Sequence, residues 1–117
     1  MGVNMNYYLY IDDIRSDDKF YRTFSAASGV HWHPVILRSY DEFVKFLHHT
    51  FSYDTFFFDL DHDLGFDSDN KEYSGYDICK YIIENQIPIF GFHIHSMNPV
   101  GAQNMRQLLT HYGYKEY

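Results

Sequence analysis

The sequence predicts a single α/β domain, residues 1–117, in which parallel strands are crossed over by helices. Three observations carry that prediction. Short β-prone apolar runs alternate four times with segments of helical period. The runs end in polar residues, several of them acidic. The connections are short enough for right-handed crossovers and leave no long structureless insert.

Taken in order, Tyr7-Tyr8-Leu9-Tyr10-Ile11 is rich in aromatic and branched residues and reads as the first strand. It runs into Asp12-Asp13. Ser16 or Asp17 is then placed to cap a helix with Phe20, Phe24 and Ala27 on one face, stopped by Gly29. Pro34-Val35-Ile36-Leu37-Arg38 gives the second strand. Ser39 and Glu42 have the spacing of a capping box, followed by Phe43, Phe46 and Leu47 at helical period. The third strand is Thr55 to about Asp61. Gly65 to Ser74 reads as a polar, acidic loop. Ser74 and Asp77 open a helix whose apolar face is Ile78, Tyr81 and Ile82, and Asn85 and Pro88 end it. Cys79 reads as a packing residue of that helix. The fourth strand is Phe90 to His95. Asn98 and Pro99 start a last helix with Met105, Leu108, Leu109 and Tyr112 on its face, closed by Gly113. No further strand–helix unit is expected after it.

Composition narrows the function. The chain has 117 residues, 45% of them hydrophobic, enough for one core and too few for two domains. The 12 Tyr and 11 Phe predict an aromatic-filled interior. A formal net charge of −7 argues against bulk binding of nucleic acid, while leaving room for a small phosphate-bearing ligand. The single cysteine excludes an internal disulfide and fits a reducing compartment. No run approaches the roughly 20 apolar residues of a membrane span, and no signal peptide is apparent, so the expectation is a soluble, cytoplasmic protein.

In open parallel sheets the ligand lies beyond the carboxyl ends of the strands. Asp12 and Asp13, then Asp61-His62-Asp63, then His95-Ser96 and Asn98 all fall on that edge. Asp12, Asp13 and Asp61 or Asp63 can hold a hard divalent cation such as Mg²⁺ or Mn²⁺, or can cap helices and bind water. His62 and His95, from adjacent strand ends, suit acid–base work across a phosphate. His93 is expected to point the same way as His95, but deeper, as support. His31, His33, His48, His49 and His111 are expected on the surface. The helix start at Asn98, with Gly101 allowing close approach, offers N–H donors to a phosphate. Ser96 can donate to the same group, and Arg15 can clamp an oxygen through its fork.

Four segments together resemble the cyclic-phosphate processing receiver-like family. They are Ile11-Asp12-Asp13-Ile14-Arg15, the Asp61-His62-Asp63-Leu64-Gly65 end of the third strand, Ser74-Gly75-Tyr76-Asp77, and His95-Ser96-Met97-Asn98-Pro99-Val100-Gly101-Ala102. The resemblance runs from Tyr8 to Tyr112. It implies a truncated receiver-like (flavodoxin-like) three-layer fold with a four-stranded parallel sheet in the order 2-1-3-4. Carried over by motif, it implies a functional set of Asp12, Asp13, Arg15, Asp61, His62, Asp63, His95, Ser96 and Asn98.

The expected activity is hydrolysis of a cyclic phosphate or cyclic nucleotide. His62, His95, Asp61 and Asp63 are its catalytic candidates. Arg15, Ser96, Asn98 and Gly101 are the substrate-binding candidates, and Asp12, Asp13 and Asp61 the candidate metal ligands. The expected ligand is a phosphate-bearing small molecule, a cyclic nucleotide or an RNA-end cyclic phosphate. Two alternatives stand beside it. One is a non-catalytic sensor of such a ligand. The other is a phosphoacceptor domain modified on Asp61, which in an ordinary receiver would need a lysine on a fifth strand.

Overall fold

The computed structural model describes residues 4–16, 19–67 and 69–117. Its element order is β1 (Asn6–Ile11), α1 (Phe20–Ser28), β2 (His33–Leu37), α2 (Tyr40–His48), β3 (Thr55–Leu60), β4 (Asp63–Phe66), β5 (Glu72–Ser74), α3 (Gly75–Glu84), β6 (Ile89–Ile94) and α4 (Pro99–His111). The main sheet is parallel, in the order β2-β1-β3-β6. With the two short strands β4 and β5 set aside, this is the predicted 2-1-3-4 order.

Side-chain alternation divides the sheet into two buried faces. Leu9, Ile11, Phe56, Phe58, Leu60 and Phe92 pack against Phe43 of α2, Ile78 and Ile82 of α3, and Met105 and Leu109 of α4. Tyr8, Tyr10 and Phe57 face the other way, onto Phe24 of α1 and Trp32. The result is three layers, with α1 alone on one side. Cys79 lies in the larger core, where burial pushes its thiol up to about 12, as suits a packing residue.

Capping follows the sequence closely at α2, α3 and α4. The Ser39 hydroxyl accepts from Glu42 N at 3.1 Å, while the Glu42 carboxylate reaches back to Arg38 N at 2.8 Å. The Asp77 carboxylate accepts from Ser74 N at 2.8 Å. Asn98 Oδ1 accepts from Gly101 N at 2.9 Å, with Pro99 in the first turn.

Four expectations need correction. Ser16 does not cap α1, because its hydroxyl accepts from Arg38 at 2.8 Å and the helix begins at Phe20 (Asp17 lies outside the described residues). Ala27 is exposed, so the buried face of α1 is Phe24 with Phe20 and Tyr21 beside it. The stretch after Gly65 is not all loop. Asp63–Phe66 pairs antiparallel with Glu72–Ser74, and Tyr73 stacks on Tyr40 at 4.4 Å, which gives a polar hairpin an aromatic anchor. Finally, α4 ends at His111 and Tyr112 is exposed. The chain beyond it returns to the sheet: Phe92 N donates to Lys115 O at 2.9 Å and Tyr117 N to Phe92 O at 2.8 Å. Glu116 thus bridges Phe92 in parallel, where a fifth strand would lie.

Candidate functional site

Strand parity decides where each polar side chain goes. Asp12 continues the Tyr8, Tyr10 face of β1, Asp61 the Phe57, Asp59 face of β3, and His95 the His93 face of β6. All three meet at the carboxyl edge on the α1 side. His62 is one residue past Asp61, so it turns the opposite way, toward α4.

The first cluster is buried. Asp12 is 1% exposed, and the His95 side chain 3%. His95 Nε2 lies 2.9 Å from Asp12 Oδ2, and its Nδ1 lies 2.5 Å from Asp59 Oδ1. Asp59, fully buried, also accepts from the Tyr8 hydroxyl, and the His95 ring stacks on Tyr10 at 4.5 Å. Asp12 Oδ1 accepts from Ile14 N and Arg15 N, both at 2.8 Å, and Oδ2 accepts from Arg15 Nε at 3.0 Å. Burial pushes the Asp12 carboxyl up, but the Ile14 and Arg15 N–H groups, His95 and the Arg15 charge together hold it below its ordinary value. Asp61 goes the other way: burial and the neighbouring Asp12 charge raise it, against the His62 N–H, His95 and a hydrogen bond from Ser96.

Donor atoms of Asp12, Asp61 and His95 all lie within 4.8 Å of one another. Two of these three are residues the sequence proposed as cation ligands. The third is His95 in place of Asp13, which is exposed and projects toward Gly65. These three donors could hold a divalent cation if the ion replaced the His95 Nε2–Asp12 hydrogen bond, and Asp59 behind Nδ1 is the outer carboxylate that a metal-ligating imidazole commonly has.

The second cluster surrounds His62. Its Nδ1 lies 2.9 Å from Asp63 Oδ1, and the Asn98 amide reaches the same carboxylate at 3.5 Å. The hydrogen bond from His62 is what chiefly lowers the Asp63 carboxyl. A Cβ built on Gly101 would stand 2.4 Å from His62 Cγ. Gly101 is therefore small to seat the imidazole, and its N–H is already taken by Asn98. Gly75 has a parallel role: a Cβ there would stand 2.1 Å from Asp61 O, and its N–H donates to His62 O at 2.7 Å. Between them the two glycines fix the Asp61–His62 turn against α3 and α4.

Two cavities open on this rim. One, of about 490 Å³, is bordered by Asp13, His62, Asp63 and the β4–β5 hairpin. The other, of about 520 Å³, is bordered by Asp12, Asp13, Arg15, Asp61, Asp63 and Met97. Asp13 and Asp63 border both, so the cavities adjoin. His95 borders neither. The two histidines therefore do not face one phosphate as the sequence suggested; parity sends one to each side of the sheet. Ser96 accepts from Asn98 N at 3.1 Å and lies close enough to Asp61 to help lower its carboxyl, so it acts within the rim. Arg15 is half-exposed, and its NH2 lies 3.7 Å from Asp61.

Two residues of this arrangement were given no site role by the sequence. Asp59 sits inside an apolar run, where an acid can be buried only with partners. Arg38 donates to Asp12 O at 3.3 Å, to Arg15 O at 2.6 Å and to Ser16, pinning the loop that carries Arg15. Its signal was a basic residue at the carboxyl end of a strand. The surface histidines, 31, 33, 48, 49 and 111, are exposed as expected. His93 stacks on Phe20 at 3.7 Å on the same face as His95, but it is not the deeper of the two, since the His95 side chain is almost fully buried.

A parallel sheet in the order 2-1-3-4, with acids after its first and third strands and its helices divided between two faces, defines a receiver-type domain. The chain matches the family described as the Cyclic-phosphate processing Receiver domain over residues 7–111, and it belongs to that family. No curated protein matches it. Among solved structures it is similar to a fusion described as a yeast Spc42 trimeric coiled coil joined to another structure. The identity is 18% and the TM-score 0.53, over 99% of this chain and 71% of that one, which speaks for the fold alone. No helix among the described residues is long and apolar enough to cross a membrane.

Proposed function

We propose that this domain hydrolyses the phosphodiester of a cyclic phosphate at the carboxyl rim of its sheet. The observation that carries the proposal is the adjoining pair of cavities. A carboxylate-oriented histidine borders one, a cation-competent carboxylate pair borders the other, and Asp13 and Asp63 are shared between them. Substrate lying across that shared wall would put its phosphate between the two kinds of group.

The rim is acidic, and a phosphate needs positive charge there. Asp12, Asp61 and His95 would hold a divalent cation, Mg²⁺ or Mn²⁺, with Asp59 orienting His95. Such an ion, when bound, supplies the charge that offsets the phosphate's own and polarises its P–O bonds. Arg15 would add its guanidinium to a phosphate oxygen. His62, with Nδ1 directed at Asp63, presents Nε2 for proton transfer: it takes a proton from the attacking water and returns it to the alkoxide oxygen that leaves as the P–O ester bond breaks. Asn98 and Gly101 support this by holding Asp63 and seating the ring.

The experiment is turnover of 2′,3′-cyclic and 3′,5′-cyclic nucleotides and cyclic dinucleotides by wild type and His62→Ala, with and without chelator. Turnover that falls at least about 100-fold in the variant supports the assignment. Equal rates contradict it. A phosphoacceptor role for Asp61 is the second reading, favoured by the receiver sheet order. Against it, Lys115 lies over the Tyr117 ring at 4.7 Å, and among the described residues no lysine borders either rim cavity. Acid- and base-labile phosphate uptake from a small phosphodonor would favour it.

A further inference from the structure

His62 borders a third cavity, and this one differs in chemistry from the acidic rim. It is a groove of about 580 Å³ between α3 and α4, lined by His62, Tyr76, Asn104, Gln107, Leu108 and His111. Among the described residues no Asp, Glu, Lys or Arg lines it, whereas four acids border each rim cavity. Asn104, Gln107 and His111 fall at i, i+3 and i+7, so they form one stripe along α4. Tyr76, half-buried at the start of α3, lines the same groove. The Asn104 and Gln107 side-chain amides have no hydrogen-bond partner among the described residues, whereas Asn98 and the Gly101 N–H at the start of the same helix are bonded to each other and Asn98 also to Asp63 and Ser96.

We infer that this groove binds the nucleobase and sugar of the substrate, so that the cyclic phosphate acted on is a nucleotide's. The inference rests on the cyclic-phosphate reading for where the phosphate sits. Its own content is the neutral groove. An aromatic ring and two amides with free donors and acceptors are what recognise an uncharged heterocycle: the ring offers a stacking surface and the amides read a base edge. The volume lies in the range of small-molecule sites. His62 is the common wall, so base and phosphate would flank the proton-transfer group. That is the order a nucleoside cyclic phosphate requires, since its scissile ester is carried by the sugar.

The test is calorimetric titration of the full chain with adenosine 3′-monophosphate, glycerol 2-phosphate and adenosine, each in Mn²⁺-containing buffer. The nucleotide should bind at least about tenfold more tightly than glycerol phosphate, and Asn104→Ala/Gln107→Ala should abolish that advantage. Both positions are exposed, so the variant should fold; Tyr76→Leu provides an independent second variant. Adenosine binding that is lost in these variants supports the groove even if no cyclic phosphate is hydrolysed, which separates it from the reaction. Equal affinity for nucleotide and glycerol phosphate, or an advantage that survives the double variant, overturns the inference.

Discussion

Gly101→Ala separates the seat of His62 from the stability of α4. The added Cβ would stand 2.4 to 2.7 Å from three atoms of the His62 ring, so the ring must leave. Its departure breaks the 2.9 Å contact with Asp63, an exposed pair worth roughly 0.5–1 kcal/mol. Against that, Ala in place of Gly inside a helix contributes about 1 kcal/mol. The terms nearly cancel, so urea denaturation should report a change smaller than about 1 kcal/mol. Turnover should nonetheless fall as steeply as in His62→Ala, and the imidazole resonances of His62 should move toward those of a solvent-exposed ring. Two results would refute the reasoning. One is a loss of more than about 2 kcal/mol, which would mean the backbone rather than the ring gives way. The other is an unmoved His62 signal.

Gly75→Ala should behave differently, since its Cβ would meet the Asp61 carbonyl oxygen at 2.1 Å, and backbone cannot swing aside; a loss of at least about 2 kcal/mol in urea denaturation is expected. Asp59→Asn removes the carboxylate behind His95, so Mn²⁺ affinity measured by calorimetry should drop about 10- to 100-fold. The pH dependence has a definite sign. The Asp61 carboxyl is raised above its ordinary 3.8, chiefly by burial, so its ionisation opposes folding above its folded value and is neutral below the unfolded one. Asp61→Asn should therefore raise the melting temperature of the metal-free protein at pH 7, with the gain shrinking as pH falls toward 4. Asp12 is depressed, so its contribution is present above 3.8 and is lost as pH falls through its folded value; Asp12→Asn should lower the melting temperature at pH 7.

The strands were legible because a parallel sheet buried on both faces leaves continuous apolar runs, as Phe56-Phe57-Phe58 does. The caps at Ser39, Ser74 and Asn98 were legible because the side chain that satisfies a helix N–H lies within four residues of it. The β4–β5 hairpin was not, since its pairing leans on the Tyr73–Tyr40 stack, 33 positions apart in sequence, and on Asp67, which accepts from Asp41 N at 3.0 Å. At the site, residue types were readable and directions were harder. Asp61 and His62 are neighbours in sequence, yet parity sends them to opposite faces, and that separates His62 from His95. Asp59 was visible as an acid of the third strand but not its role, because its partners Tyr8 and His95 come from elsewhere in the sheet.

The joint use of the two rim cavities is tested most directly by hydrolysis of a 2′,3′-cyclic nucleotide with Mn²⁺ present, in wild type, His62→Ala and Asp61→Asn. Turnover in the wild type that is lost in either single variant, with calorimetry showing Mn²⁺ still bound to His62→Ala and released from Asp61→Asn, is the predicted result. A wild type that binds the nucleotide and leaves it intact would contradict the proposal, as would unchanged rates in both variants.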